Sequence, residues 1–187
     1  MIDLLLVMGR SGSGKTTILE HIKSKGYKTL TEVTTRPKRW DGETGYDFLT
    51  EEEYMAEKDA FLTIKSYTTI EGVWRYGVRL PDEPRSYITI INPTQFDDIW
   101  AQRDRFASIR VCWVENDEGK RLENLKRREM MKRNPNIAEL DRRLKADEKD
   151  FSEIVYRHIK LRIPAKDLMV LKNNYDDAVF AEIGKWK

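Results

Sequence analysis

A single cysteine, Cys112, stands among the 187 residues, so no disulfide can form within the chain. That suits a reducing, cytoplasmic compartment. Only 6 prolines and 10 glycines are present, which excludes collagen-like, low-complexity and disordered chains. The two histidines, His21 and His158, are far apart, and neither has Cys or carboxylate neighbours at zinc-ligand spacing. Neither sign of charge dominates: 34 Lys+Arg against 32 Asp+Glu leave a net charge of +2. A protein living on nonspecific nucleic-acid affinity is usually more basic, so no nucleic-acid partner is expected. The five tryptophans are scattered and make no stacking platform for single strands. Long hydrophobic runs are missing too. The longest near the start, Leu4 to Met8, is too short for a membrane span or a secretory segment, so no membrane partner is expected. Repeats and Gly/Ser or Pro-rich linkers are absent. The chain is long enough for one compact domain with a real core and inserted lobes, as a monomer or homodimer.

What is present reads as an α/β protein. Ile2 to Met8 has the continuous apolar pattern of a strand buried on both faces, as in a parallel sheet. A Gly/Ser loop follows. Next comes a helix from about Thr16, with Ile18, Leu19 and Ile22 on one face and Gly26 as its stop. Tyr87 to Ile91, Ile109 to Val114 and Leu168 to Leu171 read as further core strands, the last followed by a short helix entered through Asp176-Asp177. Strands alternating with helices predict a three-layer sandwich around a parallel sheet. Residues 32 to 79 break this rhythm with short runs of Thr, Tyr, Trp and Gly, as a small antiparallel insertion would. Residues 118 to 150 break it with charge, as a helical hairpin divided at Asn134-Pro135-Asn136. Residues 156 to 164, with alternating Ile159, Leu161 and Ile163, read as an added strand. Cys112 alternates with Val111 and Trp113 and reads as a strand-core residue.

The strongest chemical signal is Gly9-Arg10-Ser11-Gly12-Ser13-Gly14-Lys15-Thr16. It satisfies G-x-x-x-x-G-K-[ST] at every fixed position and sits between a buried strand and a helix start. Glycines let backbone N–H groups converge on phosphate oxygens, and the helix N-terminus favours anions. Lys15 supplies a mobile point charge for the β- and γ-phosphates of ATP, and Thr16 a hydroxyl for Mg²⁺. Nucleotide binding through Gly9, Ser11 to Thr16 and Thr17 is therefore expected.

A second constellation selects the reaction. Thr34-Thr35-Arg36-Pro37-Lys38-Arg39 precedes Gly45-Tyr46-Asp47-Phe48, and Tyr76-Gly77 lies further on. Arg36 and Arg39, three apart beside a tyrosine, can form a fork for a dianionic phosphate. Tyr46 and Tyr76 taken singly read as aromatic packing; beside the two arginines they read as phosphate ligands.

In this ordered set the chain resembles the guanylate kinase family of nucleoside monophosphate kinases. Thr34 to Arg39 match the family's T-T-R-x-x-R, Tyr46 and Phe48 its G-x-x-Y-x-F, and Tyr76-Gly77 its Y-G. Arg128, Arg133 and the segment Arg143 to Ala146 match its arginine-bearing lid. The resemblance implies a P-loop NTPase core at 1–31, 80–117 and 151–187, a monophosphate-binding lobe at 32–79 and a lid at 118–150. It implies transfer of the γ-phosphoryl of ATP, with Mg²⁺, to a nucleoside or deoxynucleoside monophosphate. Arg36, Arg39, Tyr46 and Tyr76 would hold the acceptor phosphate, and Lys15, Arg128, Arg133 and Arg143 the transferring group. Arg127, Lys132 and Arg142 stand close enough to exchange roles with the lid arginines.

The departures fall at the acceptor base. Glu32 replaces a family Ser, Ser66 aligns with the guanine-reading Glu, Val78 replaces a Thr, and Asn92 aligns with an Asp. A base pocket so changed admits acceptors other than GMP or dGMP, as a virus-encoded enzyme serving a nucleotide pool would. Two other readings remain: a P-loop kinase of modified bases or nucleic-acid ends, and a noncatalytic phosphopeptide-binding module.

Overall fold

The computed structural model describes residues 2–38, 41–69, 72–131, 135–174 and 179–181. Its core is a five-stranded parallel sheet. The first strand, β1 (Asp3–Gly9), lies at its centre because every residue from Leu4 to Met8 is apolar and can be covered on both faces. Beside it run β7 (Ser86–Ile90) and β8 (Ser108–Glu115), with β2 (Lys28–Thr29) and β9 (Leu168–Lys172) at the edges, in the order β2-β7-β1-β8-β9.

Alternation along β1 divides the core in two. Leu5 and Val7 pack against Ile18, Leu19 and Ile22 of α1 (Lys15–Lys23), with Cys112 among them. Burial pushes the Cys112 thiol up to about 12, which leaves it inert at neutral pH. Leu4, Leu6 and Met8 face the other way, onto Phe96 and Ile99 of α3 (Phe96–Trp100) and Ile159 of α6 (Glu153–Lys160).

That last helix corrects the expected strand at 156–164. Ile159 and Ile163 are buried whereas Leu161, between them, is 86% exposed. Tyr156, Ile159 and Ile163 reach one core cluster at helical spacing of three and four. Tyr156 also packs on Trp113 with ring centres 5.0 Å apart. The apparent alternation was one buried helical row interrupted by an exposed leucine. The helix expected from Asp176-Asp177 starts in residues outside those described.

The second sheet holds β3 (Glu32–Thr34), β4 (Asp47–Phe48), β5 (Phe61–Thr69) and β6 (Gly72–Arg79), in the order β4-β3-β6-β5. The β5–β6 and β3–β6 pairs are antiparallel, but β3–β4 is parallel, because a long connection rather than a hairpin joins Thr34 to Asp47. Next to this sheet α2 (Glu51–Glu57) starts with a reciprocal cap between Thr50 and Glu53. Two long charged helices follow β8: α4 (Glu118–Met130) and α5 (Ile137–Asp150). Asn136 caps α5 by accepting the Glu139 amide at 2.9 Å, and its own amide donates to Glu129 on α4 at 2.8 Å.

Candidate active site

The loop after β1 turns on two glycines. Gly12 and Gly14 adopt φ of 79° and 83°, a left-handed conformation that glycine alone enters freely. A side chain at Gly12 would also strike Leu125 Cγ at 2.6 Å, and one at Gly14 would strike the Asn173 amide. Asn173 holds the loop from beneath by donating to the Ser13 carbonyl at 2.8 Å. Ser13 Oγ is buried and, among the described residues, has no hydrogen-bond partner. The Lys15 ammonium bends back to the carbonyls of Gly9 (2.7 Å) and Arg10 (3.0 Å). Burial lowers its pKa to about 8; nearby Asp147 opposes this shift, while Arg121 and Arg128 add to it.

Two cavities meet at this lysine. One lies beneath α4, lined by Gly12 to Thr17 and by Leu125, Arg127, Arg128 and Met131. The other, of about 370 Å³, is backed by Gly9, Ser11 and Lys15. That volume suits a small-molecule ligand. Its floor is one face of the second sheet: Glu32 on β3, Lys65 and Tyr67 on β5, Trp74, Tyr76 and Val78 on β6. Its roof is α5, which contributes Arg142, Arg143, Asp147 and Asp150.

Tyr46, Tyr76 and Tyr67 form an edge-to-face row in this cavity, with ring centres 5.9 and 5.4 Å apart. Burial raises the Glu32 carboxyl to about 7, although a hydrogen bond with Tyr46 works the other way. Lys65 donates to Asp150 and to Thr94 Oγ1, both at 3.0 Å, and burial lowers its pKa. Arg142 and Arg143 both bind Glu139, at 2.7 and 2.9 Å, and hold its carboxyl down near pH 2.

The residues expected from the sequence are therefore sorted by the fold. Glu32, Tyr46, Tyr76, Asn92, Arg143 and Lys15 line one cavity. Arg128 lines the other, with the loop residues Gly12 to Thr17. Ser66 does not join them. It pairs with Arg75 on the opposite face of the hairpin and is exposed, while Thr63, Lys65 and Tyr67 take the inward positions. Thr63 lies directly across from Val78 and donates to Asp98 at 3.0 Å.

Arg36 is not an open fork either. It is buried and binds Glu43 through Nη1 (3.2 Å) and Nη2 (2.8 Å). Among the described residues its Nε has no partner, beside Tyr46 and Phe48. Asn92 lines the cavity mainly as a cap: its Oδ1 accepts the Thr94 amide at 2.9 Å, and its Nδ2 donates to Asp150 at 2.6 Å. Arg39 and Arg133 lie outside the described residues.

Arg142, expected only as a stand-in for the lid arginines, lines the cavity beside Arg143. Sequence reasoning missed Lys65, Tyr67, Trp74, Asp147 and Asp150. The signal was there in part. Arg143, Asp147 and Asp150 stand at i, i+4 and i+7, one face of a helix.

No protein-family model and no curated protein matches the sequence. Solved structures do match. The guanylate kinase from Anaplasma phagocytophilum superposes with a TM-score of 0.57, over 98% of this chain and 83% of its own, at 17% identity. The fold is guanylate kinase-like. In this guanylate kinase-like P-loop fold the parallel sheet presents the loop from Gly9 to Thr16, and the second sheet and α5 enclose the cavity beside it. Among the described residues no helix is long and apolar enough to cross a membrane, and no group of three or more His, Cys, Asp or Glu is placed to hold a metal ion.

Proposed function

We propose that the chain is an ATP-dependent nucleoside or deoxynucleoside monophosphate kinase, passing the γ-phosphoryl group of ATP to the 5′-phosphate of the acceptor. The observation that carries this reading is the shared lysine. Lys15 lines both the cavity beneath α4 and the cavity floored by the second sheet. One cationic group can then neutralise charge on donor and acceptor together. On this reading 1–31, 80–117 and 151–187 are the core, 32–79 the acceptor lobe and 118–150 the lid.

The P-loop amides and Lys15 seat the donor phosphates, and Arg128 flanks them from α4. Thr16, exposed at the start of α1, would hold Mg²⁺ through its hydroxyl, and the ion when bound supplies charge neutralisation between the phosphates. Tyr46 and Tyr76, with Arg36 behind them, receive the acceptor phosphate. Arg142 and Arg143 reach the transfer path from above by releasing Glu139. An acceptor phosphate is already an anionic nucleophile, so no general base is needed and catalysis is positioning plus charge neutralisation. The acceptor class includes GMP and dGMP and extends to other deoxynucleoside monophosphates, because Glu32, Lys65 and Val78 offer the base a new set of partners. An intact Lys15 and Thr16 favour an enzyme over a binding module.

Calorimetry tests the two-site premise. With a non-hydrolysable ATP analogue already bound, a monophosphate should still bind one to one. Mutual exclusion of the two ligands would overturn the reading.

A further inference from the structure

Three carboxylates lie in the last turn of α5: Glu148 is exposed, whereas Asp147 and Asp150 face the cavity. The partial negative charge of a helix C-terminus disfavours anions there, so each of these two needs a partner. Asp150 has Lys65 and Asn92. Asp147 has the P-loop itself. The Ser11 amide donates to its Oδ2 at 2.7 Å, and the Ser11 hydroxyl to its Oδ1 at 3.3 Å. Arg121, almost fully buried, approaches the same Oδ2 at 3.4 Å while donating to the Ser11 carbonyl at 2.8 Å. Its other partner is Glu118.

The location gives this contact its meaning. Ser11 faces the cavity beneath α5, Gly12 to Thr17 face the cavity beneath α4, and Lys15 faces both. The Asp147 carboxylate therefore takes a backbone N–H at the junction of the two cavities. It offers two oxygens and a full negative charge to an amide, a hydroxyl and a guanidinium. Those are the partners a phosphate oxygen would use.

We propose that Asp147 is an internal surrogate for the transferring phosphoryl group and sets how the site discriminates triphosphate from diphosphate. The proposal rests on the kinase reading above. A γ-phosphate that reaches the junction must displace the carboxylate from Ser11 or lie against it, and two anions at that distance repel. A diphosphate seated on the amides of Gly12 to Thr17 stops short of the junction and leaves the Asp147–Ser11 contact in place. Asp147 thus weakens binding of the substrate triphosphate selectively and favours the diphosphate state in which α5 is drawn onto the loop. A residue that merely clamped α5 to the core would affect both nucleotides alike.

The test is calorimetric titration of wild type, Asp147→Asn and Asp147→Ala with Mg²⁺-ADP and with the Mg²⁺ complex of a non-hydrolysable ATP analogue. Both variants should bind the triphosphate analogue about tenfold tighter than wild type while ADP affinity moves less than about threefold. An equal change for the two ligands would overturn the proposal and leave Asp147 a clamp. Wild type that binds neither nucleotide would instead sink the kinase reading. Melting curves establish that the variants fold. Should neither do so, the Ser11 amide resonance of wild type decides: it should move on adding the triphosphate analogue and stay near its position with ADP, and equal movement would refute the surrogate role.

Discussion

Arg36 and Glu43 form a two-point ion pair at 3.2 and 2.8 Å, with both side chains almost completely buried. Arg36 Nη1 also donates to the Pro37 carbonyl at 2.6 Å, and the guanidinium lies 5.9 Å from the Tyr46 ring centre and 5.4 Å from that of Phe48. The arginine of the expected phosphate fork is thus a fixed post beside Tyr46 and Phe48, with only Nε left over among the described residues. Breaking a buried pair from one side strands a charge in a low-dielectric site. Arg36→Ala and Glu43→Ala should each cost about 3–5 kcal/mol in chemical unfolding. Arg36→Ala should in addition weaken acceptor use. Wild-type stability in both variants would contradict the pair.

Lys15 supplies the second prediction. Its ammonium loses its proton near pH 8 rather than at its usual value near 10.5. Affinity for ATP should therefore fall as pH rises through about 8, and Lys15→Arg, whose charge persists, should flatten that fall. The unfolded chain holds the extra proton between about 8 and 10.5, so the Lys15 contribution to stability increases with pH across that window. A pH-independent ATP affinity in wild type would count against the buried ammonium.

For Glu32 the sign is reversed. The folded carboxyl keeps its proton up to about pH 7, whereas the unfolded one releases it near 4.5. Between these values the folded state binds more protons, so this residue's contribution to stability declines as pH rises. Glu32→Gln should raise the melting temperature relative to wild type more at pH 8 than at pH 5. It should also remove any break near pH 7 in acceptor kcat/KM. Equal melting shifts at both pH values would refute the raised pKa.

Ile159 and Leu161 test the helix at 153–160. Ile159 is fully buried and Leu161 is 86% exposed. Ile159→Ala should cost about 2–5 kcal/mol, and Leu161→Ala no more than about 0.5 kcal/mol, in urea unfolding. Equal costs would contradict the helical register.

How much of this was legible in the sequence depended on range. β1 and the loop after it were legible because alternation and glycine conformation are local properties. Leu5 and Val7 face one core and Leu4, Leu6 and Met8 the other, as an unbroken apolar strand requires. The inward face of β5 was not legible. A register irregularity between Phe61 and Thr63 decides whether Lys65 or Ser66 meets the cavity, and no local pattern marks it. Arg36 read as a phosphate ligand because its partner Glu43 lies across a loop whose course sequence does not reveal. Asp147 and Asp150 were hidden by composition. On a helix this charged, acidic residues read as a solvated face until the P-loop and Lys65 are seen against them.

The proposed phosphoryl transfer between two nucleotides that meet at Lys15 can be read by coupled ADP release with ATP and Mg²⁺ across GMP, dGMP, AMP, dAMP, CMP, dCMP, UMP, dUMP and dTMP. Strong turnover on one or a few of these is expected, lost in a folded Lys15→Ala variant. ATP bound tightly by wild type with no turnover on any monophosphate would contradict that transfer.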